Sequence, residues 1–136
     1  MKIEPYLMFN GRCEEAISFY QTVLGAEVAF LMRFDEAPDK ECCPPGAEKK
    51  VMHATIMVAG NALMMSDGCC DDKPAFQGIS LSISVDDIEQ GRRLFEQLSE
   101  GGLIEMPYAA TFWSPGFGVV RDRFGVSWMV NVLEEE

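Results

Sequence analysis

Between Val51 and Asp67 the sequence VMHATIMVAGNALMMSD sets Val51, His53, Thr55 and Met57 against Met52, Ala54, Ile56 and Val58, and then breaks at a glycine. Period two marks a strand with two unlike faces, and Gly60-Asn61 supplies the positive-φ residues that a two-residue turn needs. The stretch is predicted to be a β-hairpin, and it carries the one histidine of the chain, His53. The segments before it read as the rest of a module that the hairpin completes.

Ile3 to Asn10 reads as a strand with Leu7 and Phe9 on one face and Tyr6 and Met8 on the other, and Pro5 argues for its beginning or an edge. Gly11 turns the chain into a helix that has Glu14 and Glu15 in its first turn, where negative charge is favoured, and that stops at Gly25. Ala26 to Phe34 is a second strand, and Asp35 to Lys50 an exposed loop. After a polar turn from Gly68 to Lys73 the plan repeats: a strand over Ile79 to Val85, then a helix opened by Asp86 and Glu89 as a capping box, with Leu94, Phe95 and Leu98 as its buried stripe. Gly101-Gly102 ends that helix, Leu103 to Tyr108 is a strand, and an aromatic loop from Ala109 to Pro115 leads to a hairpin of Phe117 to Arg121 and Ser127 to Leu133. Gly125 suits a left-handed bulge position in its turn.

Placing Gly60 on Gly125 lays Asn61 to Met65 over Val126 to Val130, so the chain is an internal repeat of a βαβββ unit. The fold class expected is α+β, one domain over residues 1–136 built of two tandem βαβββ modules, 1–68 and 74–136, whose mixed sheets form a concave cavity. A cavity of that kind is the natural place for function.

With 136 residues the chain is long enough to bury a real apolar core, and nothing in it approaches the ~20 apolar residues that span a bilayer. Twenty-two acidic against eleven basic residues give a net charge of −11, which repels phosphate backbones and anionic lipid. No nucleic-acid or membrane partner is expected. The N-terminus lacks the pattern of a secretory signal, and four of the five cysteines stand as neighbouring pairs, Cys42-Cys43 and Cys69-Cys70, unlike a secreted disulfide framework or a four-thiolate zinc site. A cytoplasmic location is the expectation.

The segments PYLMFNGRCEEAISFYQTVLGAEV, VMHATIMVAGNALMMSDG and TFWSPGFGVVRDRFGVSWMVN resemble the vicinal oxygen chelate superfamily of glyoxalase-like and bleomycin-resistance-like proteins, and within it the PhnB-like branch. The resemblance covers nearly the whole chain and implies a glyoxalase-like fold. In metal-dependent members a divalent ion is held at positions that fall here near Pro5 or Tyr6, Met64, Gly78 or Ile79, and Met129. None offers imidazole or carboxylate, and a thioether is a poor ligand for a hard cation. No cofactor is therefore expected, and no metal at the usual superfamily site.

One histidine excludes any site needing two imidazoles within the chain, so His53 is either a hydrogen-bonded core or pocket residue or an acid/base acting alone or with a carboxylate. Tyr6, Met8, Trp113, Phe117, Trp128 and Met129 supply aromatic and polarisable surface for a flat or apolar small molecule, although core packing explains Trp128 equally well. Asp67 and Asn131 end equivalent hairpin strands, and each either presents a polar group to a ligand or satisfies a turn. Gly116-Phe117-Gly118 precedes no helical pattern, which argues against a nucleotide site, and the chain has neither the length nor the Gly-rich strand-to-helix turn of a doubly wound methyl-donor fold.

The first functional reading is a protein that binds or sequesters a small molecule without metal. Its rivals are an enzyme that uses His53 as acid or base with Asp67 or another carboxylate orienting it, or that recruits a metal through an unusual ligand set, and a dimeric scaffold without a ligand. A two-fold homodimer is expected, because paired modules leave strand edges and part of each sheet uncovered. The short seam favours module pairing across that dimer, with Trp113 near His53.

Overall fold

The computed structural model describes residues 1–36, 46–68 and 76–133. The Cys42-Cys43 and Cys69-Cys70 pairs, most of the Gly68 to Lys73 turn and the Glu134 to Glu136 tail lie outside the described residues. The chain divides into two compact units, Met1–Pro74 and Ala75–Glu136.

The first unit runs β1 (Tyr6–Met8), α1 (Cys13–Leu24), β2 (Glu27–Arg33), a 3-10 turn (Phe34–Glu36), β3 (Val51–Val58) and β4 (Asn61–Ser66). Its sheet has the order β1-β4-β3-β2, with β1 parallel to β4 and the other pairs antiparallel. The second unit repeats this with β5 (Leu81–Val85), α2 (Ile88–Ser99), β6 (Leu103–Ala109), β7 (Phe117–Arg121) and β8 (Ser127–Val132), in the order β5-β8-β7-β6. The fold is thus α+β, two tandem βαβββ units with mixed sheets, as the repeat implied.

In each unit one sheet face is buried. Leu7, Ala54, Ile56, Leu63 and Met65 are at most 7% exposed and share the first core with Cys13, Ala16, Ile17 and Tyr20 of α1. In the second, Trp128, Val130, Val132 and Val120 pack with Phe95 and Leu98 of α2. That helix lies close to its sheet: a Cβ on Gly118 would come within 2.7 Å of the Phe95 ring, so only a glycine allows the approach.

Several local expectations need correction. The first strand is Tyr6–Met8, much shorter than Ile3 to Asn10, as the proline near its start limits pairing. The hairpin turn is Ala59-Gly60, not Gly60-Asn61, because Asn61 already pairs with Val58. Ala59 and Gly60 have φ of 49 and 81°, and the Asn61 side chain donates to the Val58 and Ala59 carbonyls, which steadies a turn with a strained alanine. Strict alternation along β3 also fails at its start. Met32 pairs with His53 but Arg33 pairs with Val51, so Met52 is an extra residue, and this bulge moves fully buried Val51 to the side of Ala54 and Ile56.

Helix α2 is capped by Asp87, not Asp86: its carboxylate accepts from the Gln90 amide at 3.1 Å. Glu89 stands beside Arg92 instead of completing a capping box. The buried stripe is Gly91, Phe95 and Leu98, with Leu94 only partly covered. Gly125 takes φ 91°, as its turn position required.

Candidate functional site

On the first unit's sheet, the face turned away from α1 follows directly from the register. Tyr6 pairs with Met64, Met64 with Thr55, and Thr55 with Phe30, which makes one row; Met8 and His53 stand in the next, His53 opposite Met32. Tyr6, Met8 and Phe30 are 40%, 53% and 47% exposed, far more than strand aromatics and thioethers that face a core.

His53 is at the middle of this face. Its Nδ1 lies 3.0 Å from the Tyr6 hydroxyl and its Nε2 3.3 Å from the Thr55 hydroxyl. The Tyr6 ring lies 5.5 Å from the imidazole and the Phe30 ring 5.8 Å, both tilted, which fixes the imidazole plane from two sides. A hydroxyl both donates and accepts, so either neutral tautomer and the imidazolium keep both nitrogens partnered. The group can therefore take or release a proton without losing a hydrogen bond.

Asp67 is placed elsewhere. It is 4% exposed, one carboxylate oxygen accepts from the Gly11 and Cys13 amides at 2.6 and 2.9 Å, and the other accepts from the Val51 amide at 2.8 Å. Arg12 offers α1 no side-chain cap, so Asp67 satisfies the free amides at that helix start from the far end of the hairpin. Both of its oxygens are committed to the backbone, and none of its recorded bonds involves His53. Burial, with Asp67 and Glu14 adding to it, pushes the Cys13 thiol well above its ordinary value, so it stays protonated and unreactive.

In the second unit Phe117 pairs with Asn131 and Ser84 with Asn131, while Met129 lies opposite Val119 and Ser82. These residues alternate with the buried Trp128, Val130 and Val132, and so occupy the face away from α2. Phe117 holds, in its strand, the place that His53 holds in β3. Trp113 packs edge-on to Phe117 at 5.3 Å and to Phe112 at 4.7 Å, and remains 46% exposed.

The loop bearing Trp113 is anchored by Ser114, which is 2% exposed; its hydroxyl lies 2.7 Å from the Gly116 and Val132 carbonyls and accepts from the Gly116 amide. Thr111 folds the loop further, its hydroxyl accepting from the Trp113 and Ser114 amides. Trp128 faces the core, its indole donating to buried Asp122 at 2.9 Å. Asn131 is only partly covered, but its Oδ1 is buried without a hydrogen-bond partner among the described residues.

The structure thus brings Tyr6, Met8 and His53 onto one face, and Phe117, Met129 and Asn131, with Trp113 beside Phe117, onto the other unit's face. Thr55, Phe30 and Ser114 were missed. Thr55 was readable, two residues from His53 along a period-two strand. Phe30 depends on a pairing across a bulge, and Ser114 on a return of the chain to Val132. A separate open groove of about 460 Å³ lies between residues 2–5 and the Ala59-Gly60 turn, and none of the candidate residues lines it.

The superfamily's metal positions can be tested against these donors. Tyr6 and Met64 pair across the first sheet, but in the second the residue opposite Met129 is Ser82, not Gly78 or Ile79 as expected, because β5 begins only at Leu81; a phenol, an aliphatic hydroxyl and two thioethers do not fit a hard divalent ion. Among the described residues no three His, Cys, Asp or Glu side chains cluster.

Two such units in tandem make a glyoxalase-like fold. The fosfomycin resistance protein FosX from Listeria monocytogenes shares this fold with a TM-score of 0.67 over 98% of this chain and 93% of its own, and at 11% identity the likeness shows the fold alone. The particular family is closer: the chain belongs to the family described as 3-demethylubiquinone-9 3-methyltransferase, whose model matches residues 1–131. Protein YjdN of Escherichia coli strain K12 is 40% identical over 100% of this chain and 98% of its own. The Bacillus cereus PhnB protein, described as a putative 3-demethylubiquinone-9 3-methyltransferase, superposes with a TM-score of 0.82 at 31% identity, over 97% of this chain and 99% of its own. Among the described residues no helix is long and apolar enough to cross a membrane.

Proposed function

We propose that this chain binds or sequesters a small molecule on its open sheet faces, without the superfamily's divalent ion, and works as a homodimer in the cytoplasm. The observation that carries the reading is the half-exposed group of Tyr6, His53 and Phe30, rings held 5.5 and 5.8 Å apart around a fully partnered imidazole. Apolar surface set around a few fixed polar groups is what small-molecule sites present. The donor set speaks against the metal, and the exposed apolar residues of the sheet faces support self-association.

Methyl transfer, the activity in the family's description, draws no support from these residues. The amides of Gly11 and Cys13, where β1 leads into α1, are consumed by Asp67 and are not free for a cofactor's anionic groups, and the start of α2 has no glycine-rich turn.

The test is thermal. Protein purified without chelator is assayed for metal and then melted against panels of divalent ions and neutral metabolites. A ligand at one hundred times its Kd contributes about 2.7 kcal/mol and raises the melting temperature visibly. A stoichiometric metal overturns the metal-free part, and no response to any panel favours a scaffold. Light scattering is expected to give twice the single-chain 15.1 kDa; the single-chain value removes the dimer.

A second reading, an enzyme with His53 as general acid or base, is favoured by the hydroxyl on each ring nitrogen. His53→Gln then abolishes turnover of a metabolite that the thermal panel identifies and leaves its binding within a few-fold; equal loss of binding returns the residue to recognition.

A further inference from the structure

We infer that Asn131 is the specificity-determining residue of the second unit's open face, accepting a hydrogen bond from an N–H or O–H carried on a flat apolar ring that packs against Trp113 and Phe117. The inference rests on the small-molecule reading above and names the chemistry of the ligand.

Among the described residues, Asn131 Oδ1 is the buried side-chain oxygen left without a donor. Three other buried polar side chains are saturated by comparison: Asp67 accepts from three amides, Asp122 from two amides and an indole, and Ser114 from one amide while donating to a carbonyl. A buried amide oxygen with no donor is destabilising, whereas an apolar side chain of the same shape in its place is not. The oxygen fits a site whose donor arrives with a ligand.

Its surroundings say what carries the donor. Asn131 pairs across the sheet with Ser84 on one side and Phe117 on the other, and its backbone is held in both ladders. The neighbouring Phe117 ring meets Trp113 edge-on at 70°, and Trp113 keeps 46% of its surface free. Ser114 and Thr111 fix the loop backbone, and because the Asn131 oxygen is itself covered, a ligand reaches it by displacing side chains and not by moving the loop. Aromatic walls meeting at a corner favour a flat ring, and the unpaired oxygen favours one with a donor at its edge.

The experiment uses two probes of nearly equal shape, indole and 1-methylindole, which lacks the N–H. Proton–nitrogen NMR of the full chain follows the Asn131 side-chain amide, the Trp113 indole and the resonances of Tyr6 and His53. Indole is expected to shift the Asn131 and Trp113 signals and to bind at least about tenfold more tightly than 1-methylindole, or ~1.4 kcal/mol. Asn131→Leu is expected to bind the two alike and to melt at the wild-type temperature or above. Equal wild-type affinities overturn the inference, as does a melting temperature for Asn131→Leu several degrees below wild type, which means that the oxygen already has a partner. If indole moves only Tyr6 and His53, the assignment of Asn131 falls and small-molecule binding stands. If neither face responds to indole, the assignment falls, and silence across the metabolite panels as well removes the binding reading.

Discussion

The two units have the same strand order and differ in where they put polarity. On its open face the first places an imidazole between two hydroxyls; the second has Phe117 at the corresponding place and leaves Asn131 Oδ1 without a donor among the described residues. Their helix starts differ in a parallel way. Helix α2 is capped by Asp87, the residue before it, whereas the start of α1 is held by Asp67, 54 residues away in sequence from Cys13. The lesson is that one topology accepts either a local or a tertiary solution to the same shortage of hydrogen-bond partners, and that the tertiary one ties distant segments together.

Removing the two buried carboxylates should give the largest effects. Asp67→Ala orphans the amides of Gly11, Cys13 and Val51 in three segments, and a loss of about 3–5 kcal/mol is expected in urea denaturation, with faster hydrogen exchange at those amides. Asp122→Ala also frees three donors, but Phe124, Val126 and Trp128 all lie within six residues of it, where a turn can relax toward water, so about 2–3 kcal/mol is expected. Equal losses would mean that the span of the ties is irrelevant.

Cys13 gives the comparison a pH dependence. Its folded pKa is raised above the ordinary 9.0, so its contribution is fully present below that value and is lost at higher pH, where the unfolded thiol ionises and the folded one does not. Between pH 9 and 10 the loss approaches about 1.4 kcal/mol per pH unit, and Cys13→Ala should abolish this component when denaturation curves are compared. An identical slope in the variant would show that the buried thiol does not resist ionisation.

Smaller still is the local cap. Asp87→Ala should cost about 1 kcal/mol and Asp86→Ala almost nothing, read from the same curves, because only Asp87 accepts from the helix. A small effect on stability is also expected of His53→Phe, which makes the first unit's open face like the second's. Its melting temperature should stay within a few degrees, because the hydroxyls of Tyr6 and Thr55 can turn to water, while response to any ligand bound there is lost. A large drop in melting temperature would make His53 structural.

Much of the fold was legible because strands and helices write short periods into the chain. The 51–67 hairpin, both helices and the repeat followed from alternation, helical spacing and terminal glycines. The candidate site was legible in part: alternation put Tyr6 with Met8, and His53 with Thr55, on single faces. The bulge at Met52 and the one-residue shifts of the turn and the cap were not, since each turns on hydrogen-bond partners that neighbouring residues compete for.

By itself the sequence determined which residues alternate, where the chain must turn, and that a lone histidine stands on a two-faced strand. Only the tertiary structure decided that Asp67 serves the backbone and that Asn131 Oδ1 is buried with no donor among the described residues. The reason is one of range. A side chain's face follows from its own strand, but the partner of a polar group is whichever unsatisfied donor the folded chain brings within about 3 Å, and that donor comes from any point in the sequence.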